Sequence, residues 1–287
     1  MQQASSGIRA VDDARANGAP RDASAVGLTS PRAASLSPGL FKELVLHLVK
    51  REIDSTHRMT VLGWLWPVVR QLAQLAVLVF IFGSVLDLGI EHFGVFVFSG
   101  LIAWAWFAGG TAAATSSLLT QRHLLSQPRL PPAVLPIVAV AVPLVDVLMA
   151  VPVLAVMLLF ETGIPWTAVF VPLLILAQLV LMSGIAWLTS AGSVFLRDVP
   201  NIVAVSLNIL FYLTPVFYGL HTIPEKYVNI LDLNPMATIV ETYRALLLGQ
   251  PYPDLWAIAY TIVVSLGFMT VGYVVFNRLQ HRFVESL

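Results

Sequence analysis

Hydrophobic positions in this chain gather into long runs rather than into the alternating or one-faced patterns of a water-soluble fold. The runs cover residues 65–86, 95–119, 133–160, 166–196, 202–220 and 255–277. Each is near the ~20 residues that cross a ~30 Å hydrocarbon core. The pattern predicts an all-α integral membrane protein with six transmembrane helices. The fifth run is the least regular, being short, carrying the Thr214-Pro215 step and passing into a broken segment. Irregular backbone at membrane depth is tolerated only where protein covers it or a water-filled path runs beside it.

Two further segments are apolar at helical spacing but too short to cross. The first runs from Pro38 to His57, with Ser37 as N-cap and Pro38 at the first helical position. Phe41, Leu44, Val45, Leu48 and Val49 share one side, while Lys42, Glu43, Lys50, Arg51 and Asp54 face the other. That pattern describes an interfacial helix lying in the membrane surface, or an amphipathic helix packed on other protein. The second follows Asn234-Pro235 and carries the stripe Met236, Ile239, Val240, Tyr243, Leu246 and Leu247 up to Gly249. It is expected to be a short re-entrant or outer-leaflet helix between spans five and six. Residues 1–37 are rich in Ala, Ser, Gly, Pro and Arg without any period, and nothing before Leu40 supplies the compact apolar run of a secretory signal. The expected organisation is a disordered cytoplasmic tail over 1–37, the interfacial helix over 38–58, a six-span permease domain over 64–279 and a cytoplasmic tail over 280–287.

Composition strengthens the membrane reading. Only 11% of the 287 residues are charged, against about 25% in a soluble domain, and the mean hydropathy is +0.82. With 16 basic and 16 acidic residues, no broad basic face exists for a nucleic acid. The absence of cysteine removes disulfides, thiolate metal sites and a cysteine nucleophile. Placement of Lys and Arg sets the orientation: 13 fall on the side of the termini and two, Lys226 and Arg244, on the other, with Arg70 inside the first span. Both termini are therefore expected in the cytoplasm.

Catalytic chemistry is thinly represented. Without a Gly-Lys dipeptide there is no phosphate-binding loop for ATP, and no H-E-x-x-H or G-x-S-x-G motif occurs. The histidines at 47, 57, 92, 123, 221 and 281 lack ligand spacing, so no metal site is expected. Arg70 and Asp146 are the ionisable residues inside spans, placed either to pair with one another or with loosened backbone, or to couple protons. Aromatic residues are more telling. Trp64, Trp166 and Trp256 suit interface anchors, whereas Phe211, Tyr212, Phe217 and Tyr218 crowd the break in the fifth span. Rings with few fixed charges suit a sliding sugar chain, because stacking tolerates any register.

Specific stretches then bring a family into view. The run R-M-T-V-L-G-W-L-W-P from Arg58 to Pro67 resembles the opening of permeases in the type-2 ABC exporter family, and more closely the branch that exports O-antigen, capsule, teichoic acid and related glycans. The turn Phe195-Leu196-Arg197-Asp198-Val199-Pro200, the stretch from Leu213 to Tyr218, and the block from Leu233 through Tyr243-Arg244 to Leu247 are similar to further family segments, in the same order. The resemblance implies a transport subunit, not an enzyme, sitting in the bacterial inner membrane. Two copies would combine with two copies of a separate ATPase that binds ATP and Mg, this chain itself binding no cofactor. Together they would move an undecaprenyl-type lipid-linked polysaccharide outward. It further implies coupling to the ATPase through Lys50, Arg51, Arg58, Gln121, Arg122, His123 and Arg129. In the short inner turn before Pro200, Arg197 and Asp198 are candidates for the same coupling, Asp198 alternatively serving as the side-chain cap of the next helix. The path would carry Trp66, Arg70, Phe211, Tyr212, Phe217 and Tyr218 and be lined chiefly by the first and fifth spans. A drug or small-lipid exporter, a secondary transporter and a membrane-embedded transferase are the alternatives. The last two would need an inverted repeat, a row of intramembrane carboxylates or an acidic metal loop.

Overall fold

The computed structural model describes residues 38–57, 63–86, 88–125, 130–219 and 233–283, together with positions 223, 224, 226 and 231. Among these residues all regular structure is helical: α1 (Pro38–His57), α2 (Trp66–Val85), α3 (Phe93–Thr120), α4 (Arg122–Leu125), α5 (Val134–Glu161), α6 (Trp166–Phe195), α7 (Val199–Leu213), α8 (Pro235–Leu248) and α9 (Leu255–Leu279). Proline stands in the first turn of α2, of the α-helical part of α6, of α7 and of α8. Its missing N–H is harmless there and its fixed φ suits the helix. Ser37, Arg58 and Arg129 lie outside the described residues, as does the tail over 1–37.

Among the described residues five helices, α2, α3, α5, α6 and α9, are long and apolar enough to cross a bilayer. The expected fifth span is different: α7 has 15 residues and so reaches about 22 Å at ~1.5 Å per residue, short of a ~30 Å core. The chain continues past it as the non-helical stretch from Thr214 to Tyr218. α2 also changes character, running as an α-helix to Leu78 and as a π-helix from Val79 to Val85.

The core is built around α3, whose most apolar window is 72% buried, against 11% for α2. α3 packs on α5, α6, α7 and α8. Its glycines allow close approach: a Cβ on Gly110 would strike the methyl of Met182. Hydrogen bonds cross the same contacts, with Trp106 Nε1 donating to the Val140 carbonyl at 3.0 Å, Gln178 Nε2 to that of Ala103 at 2.9 Å, and Thr115 Oγ1 to Thr189 Oγ1 at 2.9 Å. Where α6 meets α9, a Cβ on Gly184 would run into the Phe268–Met269 peptide and one on Gly272 into the Gly184 carbonyl oxygen. With no hydrophobic drive between helices in lipid, small residues and close backbone packing hold such pairs. α1 lies against α5, its Val45, Leu48 and Val49 half-buried and its Glu43, Lys50 and Arg51 exposed.

The segment after Asn234 does not lie on the surface. α8 inserts against α3, α6 and α9, with Met236 to Glu241 and Tyr243 to Leu247 all buried. Arg244, counted with Lys226 on the side opposite the termini, is 0% exposed. The charge stays inside because it is fully partnered there.

Candidate translocation path and coupling surface

α7 ends at Leu213 because Thr214 turns extended, with φ −99° and ψ 132°, and Pro215 has no N–H to continue the helix. The polar groups freed by this break are met by α8. Thr214 Oγ1 donates to the Leu210 carbonyl at 2.7 Å and accepts from Asn234 Nδ2 at 2.9 Å. Asn234 Oδ1 meanwhile caps α8 by accepting from the Met236 amide at 3.0 Å. One turn from the end of α8, Arg244 Nη2 donates to the Val216 carbonyl at 2.7 Å, Nη1 to Glu241 Oε1 at 2.8 Å and Nε to the Phe96 carbonyl at 3.4 Å. The guanidinium sits 3.5 Å from the centre of the Phe96 ring. Gly100 gives it room, since a Cβ there would lie 3.1 Å from Nη2 and 3.2 Å from the Val216 oxygen.

The tethered break carries an aromatic cluster. Phe217 lies with its ring centre 4.8 Å from Phe82, 5.8 Å from Phe211, 6.3 Å from Tyr212 and 5.2 Å from Tyr218. Phe211 also meets Trp104 at 5.8 Å, and Tyr218 Oη donates to the Tyr212 carbonyl at 3.0 Å. The four aromatic residues singled out in the sequence thus form one group, joined by Phe82 from the π-helical end of α2 and by Trp104 from α3. Tyr212 stays 67% exposed. Trp66 and Arg70 lie elsewhere, both exposed near the start of α2.

The exposed faces of α2 and α7 are not purely apolar. Asn201, Val205, Asn208 and Tyr212 follow helical spacing along one face of α7, and all are exposed. On α2, Trp66, Arg70, Gln74 and Ser84 are likewise exposed. Hydrocarbon satisfies none of these polar groups. Asp146, in contrast, is half-buried on α5 and engaged with a neighbour.

Of the expected coupling residues, Arg51, Gln121 and His123 line one cavity of about 520 Å³ between α1, α3 and α5. Lys50 and Arg122 are exposed next to them in sequence. Arg197 and Asp198 are exposed in the α6–α7 turn. Asp198 holds the N-cap position, but its side chain makes no capping bond; its backbone is αR and only its carbonyl takes part, accepting from the Ile202 amide at 2.9 Å. Among the described residues no three His, Asp or Glu side chains cluster as metal ligands.

The family model described as ABC-2 type transporter matches residues 43–248, which include α1 from Glu43 onward, the aromatic cluster and the whole of α8. The chain belongs to the ABC-2 type transporter family. Among this ABC-2 chain's relatives, the "O-antigen export system permease protein RfbA" of Myxococcus xanthus is 29% identical over 86% of this chain and 96% of the relative. The protein of the same name from Klebsiella pneumoniae is 28% identical over 87% and 96%. The "Polysialic acid transport protein KpsM" of Escherichia coli is 22% identical over 85% and 96%. An ABC-2 chain with such relatives is a transport subunit rather than an enzyme. Sequence reasoning missed Gly100, Phe96, Phe82 and the Glu241–Arg244 pair. Only the last had a readable signal, an acid and a base three residues apart on one helical face.

Proposed function

We propose that this ABC-2 permease moves a lipid-linked polysaccharide from the cytoplasmic leaflet to the outer face of the bacterial inner membrane. In this reading two copies work with two copies of a separate ATPase, which binds ATP and Mg, and both termini of the permease are cytoplasmic. The carrying observation is the exposed stripe on α7 that runs through Asn201 and Asn208 to Tyr212 and ends in the aromatic cluster. Amides offer both donors and acceptors to sugar hydroxyls, and rings grip sugar faces weakly in many registers. Such a surface is unsuited to lipid and suited to a hydrated path between two copies, with Trp66 and Arg70 at its opposite end. The names of the relatives favour a glycan over a drug. Coupling is assigned to Lys50, Arg51, Gln121, Arg122 and His123, to Arg58 and Arg129 beyond them in sequence, and to Arg197 and Asp198 in the α6–α7 turn.

On ATP binding the ATPases would close, shift α1 and the turns beside it, and open the path along α2 and α7. The direct test is reconstitution of the permease with its ATPase in vesicles containing a defined lipid-linked glycan. ATP-dependent appearance of the glycan on the face opposite the ATPase is the expected result. Transport of small amphiphiles with no glycan movement would overturn the reading.

A further inference from the structure

The cavity between α1, α3 and α5 has a chemistry of its own. At its mouth stand Arg51, Thr120, Gln121 and His123, while its inner wall is made by Ala112, Ala113, Val142 and Pro143. The space exists because α3 carries small side chains at 109, 112, 113 and 116, one face of the helix at helical spacing. Leucines there would close it. The result is a crevice that is polar at the end of the bundle where α1 lies and apolar toward the middle of α3.

We infer that this crevice holds one anionic phospholipid of the leaflet against which α1 lies, its phosphate at Arg51 and Gln121 and its first acyl carbons along Ala112 and Ala113. A free phosphate ion would leave the apolar half unfilled. A glycan chain would not fit: at about 30 Å³ per water-sized group, 520 Å³ takes a phosphate headgroup and the upper part of one acyl chain, less than two linked sugars need. Charge at the mouth is mixed rather than uniformly basic. Glu52 also lines it, and the carbonyl end of α3 points the same way, although the Gln121 amide closes onto the Ser117 carbonyl at 3.0 Å. The phosphate is therefore confined to the Arg51 side. No residue of α2 or α7 lines this crevice, so its occupant is separate from whatever moves along those helices.

The full-length chain in phosphatidylcholine nanodiscs, doped with phosphatidylglycerol bearing a diazirine on its acyl chain, provides the test. Photolabelling mapped by mass spectrometry should concentrate at 112–116 and 139–143, above the level at the exposed α9 residue Val263. Arg51→Gln should lower that labelling about tenfold, the size of one lost charge-assisted contact. Ala113→Phe should abolish it while leaving Val263 labelled. Equal labelling at both places, indifference to Arg51→Gln, or equal labelling by a diazirine diacylglycerol would overturn the proposal. Displacement of the probe by unlabelled polyprenyl diphosphate but not by phosphatidylglycerol would also overturn it, by giving the site to a lipid-linked substrate. None of these readings depends on transport, so a failure here is distinct from a failure of the export reading.

Discussion

Arg244 shows how a charge is kept inside the protein. Its guanidinium has two carbonyls, a carboxylate and a ring face around it, and removing a partner from such a buried set costs roughly 3–5 kcal/mol. Arg244→Gln should therefore lower the melting temperature of the purified chain sharply and loosen the segment around Val216. Arg244→Lys keeps the charge but loses the planar fork that reaches several acceptors at once, and should fall between wild type and Arg244→Gln. Gly100→Ala places a methyl 3.1 Å from the same guanidinium. We expect it to cost about 1–3 kcal/mol by overpacking, read in the same melting experiment. A Gly100→Ala protein as stable as wild type would show that the cradle has slack.

At the level of elements, the break after α7 and the start of α8 are one unit joined by Asn234. Asn234→Asp retains an oxygen to cap α8 but has no N–H for Thr214, whereas Asn234→Ala loses both contacts. The cap alone is worth about 1 kcal/mol. The aspartate variant should therefore be less destabilised than the alanine one, and Thr214→Ser, which keeps the hydroxyl, should be near wild type in thermal unfolding. The cap, the first-turn Pro235 and the closing Gly249, at φ +66°, were legible because each is a local rule. So were the long apolar runs, since membrane crossing is written in length and hydropathy. The depth of α8 was not legible: a 14-residue stripe reads equally as lying on lipid or buried in protein, and only the partners of Arg244 on α3 decide. The aromatic group at 211–218 was visible as a cluster in sequence, but Phe82 joins it through the π-helical turn of α2, which no spacing announced. Asp198 looked like a side-chain cap and is not one, because residue identity permits that bond without dictating the rotamer that makes it.

Taken whole, the molecule places its cluster of rings and its cavity-lining Arg51, Gln121 and His123 on different elements, so coupling between them has to travel through the bundle. Replacing 121–127 with a Gly-Ser linker should leave the chain inserted and assembled while abolishing permease-stimulated ATP hydrolysis; normal coupled turnover would remove this turn from the coupling role. Tyr212→Ala or Phe217→Ala should slow glycan export or raise resting ion leak in vesicles. Single cysteines at 211, 212, 217 and 218, introduced into a chain that has none, should react with water-soluble reagents during turnover. Exclusive reaction with lipid-soluble reagents would mean that these rings face the bilayer. The glycine contact between α6 and α9 bears on how such a path opens. Backbone meets backbone at Gly184 and Gly272, with no side chains between to slip or repack, so these two helices behave as a single strut. A strut yields only by separating, and displacement imposed at one end of it is delivered at the other undiminished. The deformation that opens a conduit must then be absorbed by α2 and α7, the sparsely packed members, and amide exchange should be fastest in those helices and slowest where α6 touches α9.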